Sequence, residues 1–430
     1  MSINSAALSN KCIHQFVETL VSTDDVLSLS DGSHDERRQL FLDSYPSVVI
    51  VLSTYLQLHD DERVRDALKV YVRKEIEVLK MQKKMNISLC YGLTGVAYSL
   101  KLANKVLQSM GSFMVQFDDL YSKLTAAQIE QTELGIKKRG LFEKDYDLIQ
   151  GLSSCLGYLT QFGNSKKDTD NVRRIGQLFD WLFDFSNQKI PNSTISGNHI
   201  IDSARRNYYK NGYVNLGISH GLAGPLAALS TVGRTGALQR GLSFYEEIFE
   251  QNKRIEAPWS GEASVSAIEQ KKFKTENLER SGWCYGNPGI ARAVFMASRK
   301  QHNSAMERVA TDYFSTLKQL DFSELKLESP TVCHGISGLL LILNAMTRET
   351  HSTVLNDFKQ QIGLRLLSKA NFDNKLLFKE YDYVFKEKKY SHAQYFDDLG
   401  ILNGSGGIIL TLMSLNAPAR LDWERILLVS

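Results

Sequence analysis

A Gly-x-x-Gly turn, or a close variant, recurs along most of the chain, and this internal repeat constrains the fold more than any other feature. Glycine at such a turn permits unusual backbone angles and lets another backbone come close. Apolar residues then follow at i, i+3, i+4 and i+7, as at Leu93, Val96, Ala97 and Leu100, which predicts a one-sided helix. The turns begin at Gly92, Gly151, Gly221, Gly286, Gly335 and Gly404.

Charged, amphipathic segments alternate with these apolar runs. The clearest spans 61–80, where Val64, Leu68 and Val72 form one apolar stripe; 172–185 and 306–320 are similar. An earlier segment, which begins Ser44-Tyr45-Pro46-Ser47, resembles a degenerate first repeat and would make seven. An inner apolar helix and an outer charged helix per repeat predict an all-α, two-layer ring, and we expect residues 1–430 to form one domain.

Three intervals do not fit the repeat. Residues 188–213, 251–280 and 373–395 are rich in polar, charged, turn-forming or aromatic residues. Each of the first two is a candidate for a functional loop or a small inserted subdomain with some extended structure, and 373–395 is a candidate for a long connection. We place an insertion at about 188–213.

Composition narrows the functional classes. The chain has 430 residues and a formal net charge of only +3, which gives no reason to expect nucleic acid as a partner. Its five cysteines are few, odd in number and widely spaced, which favours a reducing compartment over a disulfide framework. We see no signal peptide and no apolar run long enough to span a membrane, so we expect a cytoplasmic protein.

Two cysteines and a histidine beside the turns are candidate metal ligands. Cys284 lies two residues before Gly286, and Cys333 and His334 directly precede Gly335. Two thiolates and one imidazole match the three protein ligands of a catalytic zinc site with one open position. A lone buried cysteine is otherwise a small core residue, and that interpretation is kept for Cys90, which also precedes a turn.

His220 precedes Gly221, and we align it with the two cysteines of the later repeats. Its ordinary pKa of about 6.5 suits an acid or base near neutral pH; the alternative is a histidine that only caps a helix. Asp147 and Arg280 lie four residues before Gly151 and Cys284, respectively. Either charge is a functional group or an ordinary solvated side chain.

Three stretches together resemble a known family. Ser-His-Gly-Leu-Ala-Gly at 219–224, Trp-Cys-Tyr-Gly-Asn-Pro-Gly at 283–289 and Cys-His-Gly-Ile-Ser-Gly at 333–338 are similar to the signature motifs of the lanthionine synthetase C family, the stand-alone cyclases of lantibiotic biosynthesis. The resemblance extends from about Ser88 to Leu412.

The resemblance implies an α/α toroid of seven inner and seven outer helices with one zinc ion at one end of the central cavity. The ligands would be Cys284, Cys333 and His334. By the same resemblance His220 and Asp147 would be the acid/base pair, Arg280 would support them, and Tyr285 would line the site.

The implied reaction is a Michael addition. A cysteine thiol of a precursor peptide, already dehydrated by a partner enzyme, would add to dehydroalanine or dehydrobutyrine and close a thioether ring. The implied partners are this lantibiotic precursor, a dehydratase and an export transporter, in a complex at the inner face of the cell membrane. The alternatives are a related enzyme that adds glutathione or another small thiol to dehydroamino acids, and a non-catalytic, zinc-containing scaffold that binds the peptide.

Overall fold

A computed structural model describes residues 3–31, 38–184, 190–200, 203–273, 281–386 and 389–430. In chain order the helices are α1 (Ile3–Ser22), α2 (Tyr45–Leu58), α3 (Glu62–Met81), α4 (Leu93–Leu107), α5 (Gly111–Arg139), α6 (Leu152–Phe162), α7 (Lys166–Leu182), α8 (Ser203–Tyr208), α9 (Ala223–Val232), α10 (Gly236–Asn252), α11 (Val265–Glu269), α12 (Asn287–Gln301), α13 (Ser304–Leu317), α14 (Ile336–Thr350), α15 (Thr353–Leu367) and α16 (Ser405–Asn416).

Seven of these helices form a closed inner ring. Helices α2, α4, α6, α9, α12, α14 and α16 contact one another in that order, and α16 contacts α2. Helices α1, α3, α5, α7, α10, α13 and α15 alternate with them along the chain and pack outside. The prediction of an all-α, two-layer ring of seven repeats is therefore confirmed, and α2 belongs to the degenerate first repeat that completes the seven.

The two layers begin their helices differently. Inner helices α4, α6, α14 and α16 begin directly after a glycine, with no side chain capping the first turn. Outer helices α3, α7 and α10 are capped by the side chains of Asp61, Ser165 and Thr235, which satisfy first-turn N–H groups. The contrast follows from burial, because the inner turns pack against neighbouring turns and have no room for a capping side chain.

Backbone hydrogen bonds of 2.8–3.4 Å link the seven turns into a circle at one end of the ring. In each, the N–H of the first residue donates to the carbonyl of the second. The bonds run from Leu42 to Cys90, from Cys90 to Ile149, from Leu148 to Ser219, from Ser219 to Cys284, from Cys284 to Cys333, from Cys333 to Leu402 and from Ile401 to Leu42. We call this circle of turns the rim.

The described residues include four short strands, which lie in the three irregular intervals or at their edges. Strands β1 (Tyr213–Asn215) and β2 (Glu262–Ser264) pair antiparallel and join the first two intervals. Strands β3 (Glu380–Lys386) and β4 (Lys389–Phe396) form an antiparallel hairpin within the third. The expectation of some extended structure is confirmed, and the boundary of an insertion at 188–213 stays a prediction. Among the described residues, no helix combines the length and the apolar character needed to cross a bilayer.

Candidate active site at the rim of the ring

The hydrogen bonds of the rim define which residues of different repeats are equivalent. Ser219 bonds to its neighbours in the same way as Cys284 and Cys333 do. The alignment of His220 with the cysteines is therefore wrong by one residue: His220 is equivalent to Tyr285 and His334, which directly follow them in the chain. Counting back from the first glycine of each turn gives the same register, since Ser219 stands two residues before Gly221 and His220 only one.

Cys284 and Cys333 lie together, as the sequence predicted. The N–H of Cys284 donates to the carbonyl of Cys333 at 3.0 Å, and the two thiols are hydrogen-bonded. This thiol–thiol hydrogen bond, together with burial, raises the pKa of Cys333 well above its ordinary value. Gly282 makes the approach possible, since a Cβ there would stand 3.1 Å from the Cα of His334. Two soft sulfur donors thus share one place on the rim.

His334 faces a carboxylate that the sequence analysis did not select. Its Nε2 lies 3.6 Å from Oε1 of Glu380, at the start of β3, and both side chains are largely buried. Among the described residues, no three histidine, cysteine, aspartate or glutamate side chains already form a group that could hold a metal ion. The donor types fit zinc, because two thiols in contact and an adjacent imidazole are ligands that zinc accepts; the zinc site stays a prediction.

His220 and Asp147 form the closest ionisable pair beside the cysteines. The Nδ1–H of His220 donates to Oδ2 of Asp147 at 2.5 Å. The other carboxylate oxygen, Oδ1, accepts the backbone N–H groups of Gln150 and Gly151, each at 2.7 Å. Asp147 is 1% exposed, so the turn before α6 holds its carboxylate in one orientation, and that carboxylate orients the imidazole.

The environment moves both pKa values of this pair upwards. Burial raises the pKa of Asp147, although the hydrogen bond and charge of His220 act against it. Burial alone would lower the pKa of His220, but the hydrogen bond and charge of Asp147 outweigh it and raise that pKa. The imidazolium of His220 therefore persists to higher pH than that of an ordinary histidine.

Tyr285 stands between this pair and the cysteines. Its ring centroid is 5.9 Å from that of His220, and the preceding residue is Cys284. Although 45% of Tyr285 is exposed, desolvation of its hydroxyl and the nearby carboxylate of Glu143 raise its pKa. The phenol consequently remains neutral at physiological pH and can donate a hydrogen bond. The positive charge of Arg205 opposes this shift in the pKa.

Arg280 lies outside the described residues, so its predicted role has no structural outcome. Glu143 and Arg205 are neighbours of the site that the sequence analysis did not select. Glu143 accepts hydrogen bonds of 2.7 Å from the side chains of Tyr213 and Asn215 at β1. No sequence signal marked them, since pairing of β1 with β2 brings this cluster to the rim.

The remaining cysteines are core residues. Cys12, Cys90 and Cys155 are each at most 5% exposed. Burial is the main cause that raises the pKa of Cys90 above its ordinary value, so its sulfur stays a thiol. The interpretation of Cys90 as a core residue agrees with this burial.

Comparison with known proteins decides the family. The family model described as "Lanthionine synthetase C-like protein" matches residues 42–428. The chain belongs to this family. The match covers every repeat of the ring and all candidate site residues, and at the level of the family it confirms the prediction of a lanthionine synthetase.

Two relatives of this lanthionine synthetase C-like protein are informative. It is 21% identical over 367 residues to "Nisin biosynthesis protein NisC" of Lactococcus lactis subsp. lactis, covering 83% of this chain and 85% of that protein. It is also similar to a solved structure titled "Nisin cyclase", with a TM-score of 0.74, 20% identity and 97% of each chain covered. At this identity, the structural likeness establishes the shared fold.

Proposed function

We propose that the protein is a zinc-dependent lanthionine cyclase. Its substrate is a dehydrated lantibiotic precursor peptide, and it adds cysteine thiols of that peptide to dehydroalanine or dehydrobutyrine. The observation that carries the proposal is the convergence, on one rim, of a thiol pair and a hydrogen-bonded histidine–aspartate pair from four different repeats. Family membership, and relatives named as a nisin biosynthesis protein and a nisin cyclase, support the same reaction.

The metal would be held by Cys284, Cys333 and His334. Bound there, zinc would lower the pKa of a substrate thiol and present it as a thiolate, the form that attacks an alkene. The thiol pair and the adjacent imidazole supply three donors, which matches a catalytic site with one position left for substrate. Glu380 would orient the imidazole of His334, as carboxylates do beside zinc-bound histidines.

His220 supplies the proton that completes the addition. A bond forms between the sulfur and the β-carbon, and the alkene electron pair moves to the α-carbon and its carbonyl as an enolate. The imidazolium of His220 then donates its proton to the α-carbon, so the proton lost by the thiol is balanced in the product. Asp147 keeps the imidazole charged and oriented for this step, and the neutral hydroxyl of Tyr285 is placed to donate a hydrogen bond to the enolate oxygen.

The rim must receive a peptide, which requires an open mouth. Tyr91 and Tyr285, in equivalent positions of the second and fifth repeats, are each 45% exposed. They provide exposed aromatic surface against which an unfolded substrate would pack. We further propose that the protein works in the cytoplasm, at the inner face of the membrane, with a dehydratase and an export transporter as partners.

Thiol trapping tests the proposal, since ring closure consumes free cysteine without changing the peptide mass. Zinc-loaded protein is incubated with a dehydrated precursor, and the remaining thiols are alkylated and counted by mass spectrometry. We expect His220→Asn to slow ring closure by ~10²–10⁴. The control is His351→Asn, an exposed residue with φ of 54° after α14, where asparagine is tolerated.

Two results would contradict the proposal. The first is ring closure by His220→Asn at the wild-type rate. The second is a wild-type protein that binds the precursor and leaves every thiol free, which would identify a scaffold. Glutathione added in competition with the peptide cysteines tests the remaining alternative, an enzyme that adds small thiols to dehydroamino acids. Such an enzyme would form an adduct between glutathione and the peptide.

A further inference from the structure

The opposite end of the ring contains a second cavity, of about 450 Å³. It lies between the C-terminal ends of α6, α9, α12 and α14 and is covered by the last residues of the chain. Cys284 precedes the first residue of α12, whereas the cavity is lined by Arg299 and Lys300 near its last. At about 1.5 Å per residue, Lys300 lies roughly 20 Å along this helix from its first residue, and Arg292, which also lines the cavity, lies roughly 8 Å along it.

The end of the chain is fixed inside the ring and forms one wall of the cavity. The indole Nε1 of Trp283, next to Cys284, donates to the carbonyl of Leu427 at 3.3 Å. Arg292, only 1% exposed, donates through Nε to the carbonyl of Val429 at 2.7 Å. One wall of the cavity is therefore part of the folded core, whereas Arg299, Lys300 and Arg420 on its open side are exposed.

Cationic side chains dominate the wall. They are Arg292, Arg299, Lys300, Arg348, Arg420 and Arg425, against Glu349 as the one acidic residue that lines the cavity. Glu349 pairs with Arg292, and the buried carboxylate of Glu424, just behind, pairs with Arg348. Arg299 lies 3.9 Å from Glu307, so the ion pairs of the wall involve Arg292, Arg299 and Arg348. In the part of the chain that the structure describes, no ion pair involves the other three cations, Lys300, Arg420 and Arg425.

Helix ends explain only part of this charge. Four helix C-termini, each equivalent to about half a negative charge, attract cations to this face. Glu349, Glu424 and Glu307, which lies 3.9 Å from Arg299, supply further negative charge, so the six cations are nearly balanced as a group. A bound anion would pair directly with those cations that have no carboxylate of their own.

Two further observations indicate a ligand. The hydroxyl of Ser430 is buried, lines the cavity and has no hydrogen-bond partner among the described residues. Burial, together with the charges of Arg425 and Arg348, lowers the pKa of Arg420 below its ordinary value. Like charges are held close together here, and a polar group remains unsatisfied; a bound anion with several oxygens would relieve both.

We propose that this cavity binds a phosphate-bearing ligand, either a free oligophosphate compound or the headgroup of an anionic phospholipid. Planar guanidinium groups match phosphate oxygens in pairs, and arginine is the residue enriched at such sites. A volume of about 450 Å³ accommodates two phosphate groups and a small organic portion. The site is independent of the proposed cyclase chemistry at the rim.

Calorimetry with inorganic pyrophosphate, at constant ionic strength and pH 7, tests the proposal on the full-length protein. We expect the wild type to bind one pyrophosphate per chain in a saturable way. In the double variant Arg420→Gln/Arg425→Gln, the affinity should fall at least about tenfold for each arginine removed. The control is Lys137→Gln/Arg173→Gln, which removes two exposed cations of outer helices. Lys300→Gln, at the exposed end of α12, is a milder variant if the double variant does not fold.

Vesicle co-sedimentation separates the two ligand sources. The cavity variant is Arg420→Gln/Arg425→Gln. If vesicles of phosphatidylglycerol and phosphatidylcholine bind the wild type and the control more than the cavity variant, and pyrophosphate displaces the protein from the vesicles, the ligand is a lipid headgroup. If the wild type, the control and the cavity variant bind vesicles equally, and only the cavity variant loses pyrophosphate binding, the ligand is a free phosphate compound. No saturable pyrophosphate binding, or equal pyrophosphate binding by cavity variant and control, would overturn the proposal.

Discussion

Replacement of Asp147 by asparagine separates the charge of this residue from its shape. Oδ1 accepts two backbone N–H groups at 2.7 Å, and the amide oxygen of asparagine can keep both, so the turn before α6 should hold. At the other position, an amide NH₂ replaces the oxygen that lies 2.5 Å from Nδ1 of His220. The variant therefore removes the charge that stabilises the imidazolium while retaining the local backbone.

Because burial by itself lowers the pKa of His220, loss of the aspartate should move that pKa below its present value. The proton donor is then depleted at neutral and alkaline pH. We expect ring closure near pH 8 to slow by ~10²–10⁴, the range for loss of a general acid. The alkaline limb of kcat/KM should move to lower pH, with activity partly recovered towards acid pH.

Stability should change with a defined sign. The raised pKa of His220 contributes stability that is present at low pH and is lost as pH rises through the folded-state pKa. The variant should therefore lose about 1–3 kcal/mol of unfolding free energy. The loss should be largest at pH values at which wild-type His220 is protonated and Asp147 is ionised. Urea unfolding across pH, beside a pH profile of thiol trapping, measures both effects.

The matched control is Asp170→Asn, which removes an exposed carboxylate from α7 and should leave rate, pH profile and stability unchanged. A wild-type rate in Asp147→Asn with an unshifted alkaline limb would refute the assignment of this aspartate. A slower rate with an unshifted limb would also contradict it, because a purely structural role predicts that pattern.

The other predictions concern the metal and the packing of the rim. Cys284→Ala should lose stoichiometric zinc in metal analysis, whereas Cys90→Ala, at the equivalent place in another repeat, should keep it; equal zinc in both would disprove the ligand assignment. Glu380→Gln should weaken zinc affinity about 10–100-fold in a chelator competition, through loss of the carboxylate that orients the histidine ligand; unchanged affinity would mean that this contact is incidental. Gly338→Ala should lower the melting temperature, since the added Cβ would meet backbone atoms and the Cβ of a buried tryptophan. The control Gly176→Ala, with open space around the new Cβ, should be neutral or up to about 1 kcal/mol stabilising. A lower melting temperature in the control than in Gly338→Ala would contradict this account of the inner turns.

Helical periodicity and the recurring turns were sufficient to predict the architecture. Inner segments such as Leu93–Leu107 are apolar over most of their surface, and outer ones such as Glu62–Met81 are apolar along one stripe. This difference assigns each segment to a layer. Seven repeats of this kind can bury their apolar faces only against one another, so a ring was predictable from local information.

The sequence also indicated the chemical groups of the site. Cys284, Cys333 and His220 stood out as reactive side chains beside turns. The resemblance to the lanthionine synthetase C family separated them from Cys90, which has the same position as the two cysteines in another repeat. The third repeat was harder, since Asp147 differs from many surface carboxylates only by its distance from the turn. Its nearly complete burial, which raises its pKa, is a property of the folded ring.

Local sequence thus determined the helices, their layers and the identity of the reactive groups, because periodicity and turn chemistry act within a few residues. Tertiary structure alone decided the approach of Glu380 to His334 and the 2.5 Å contact of Asp147 with His220. These contacts join residues from separate repeats or from the β3–β4 hairpin. Their distances depend on the closure of all seven repeats, which no single segment encodes.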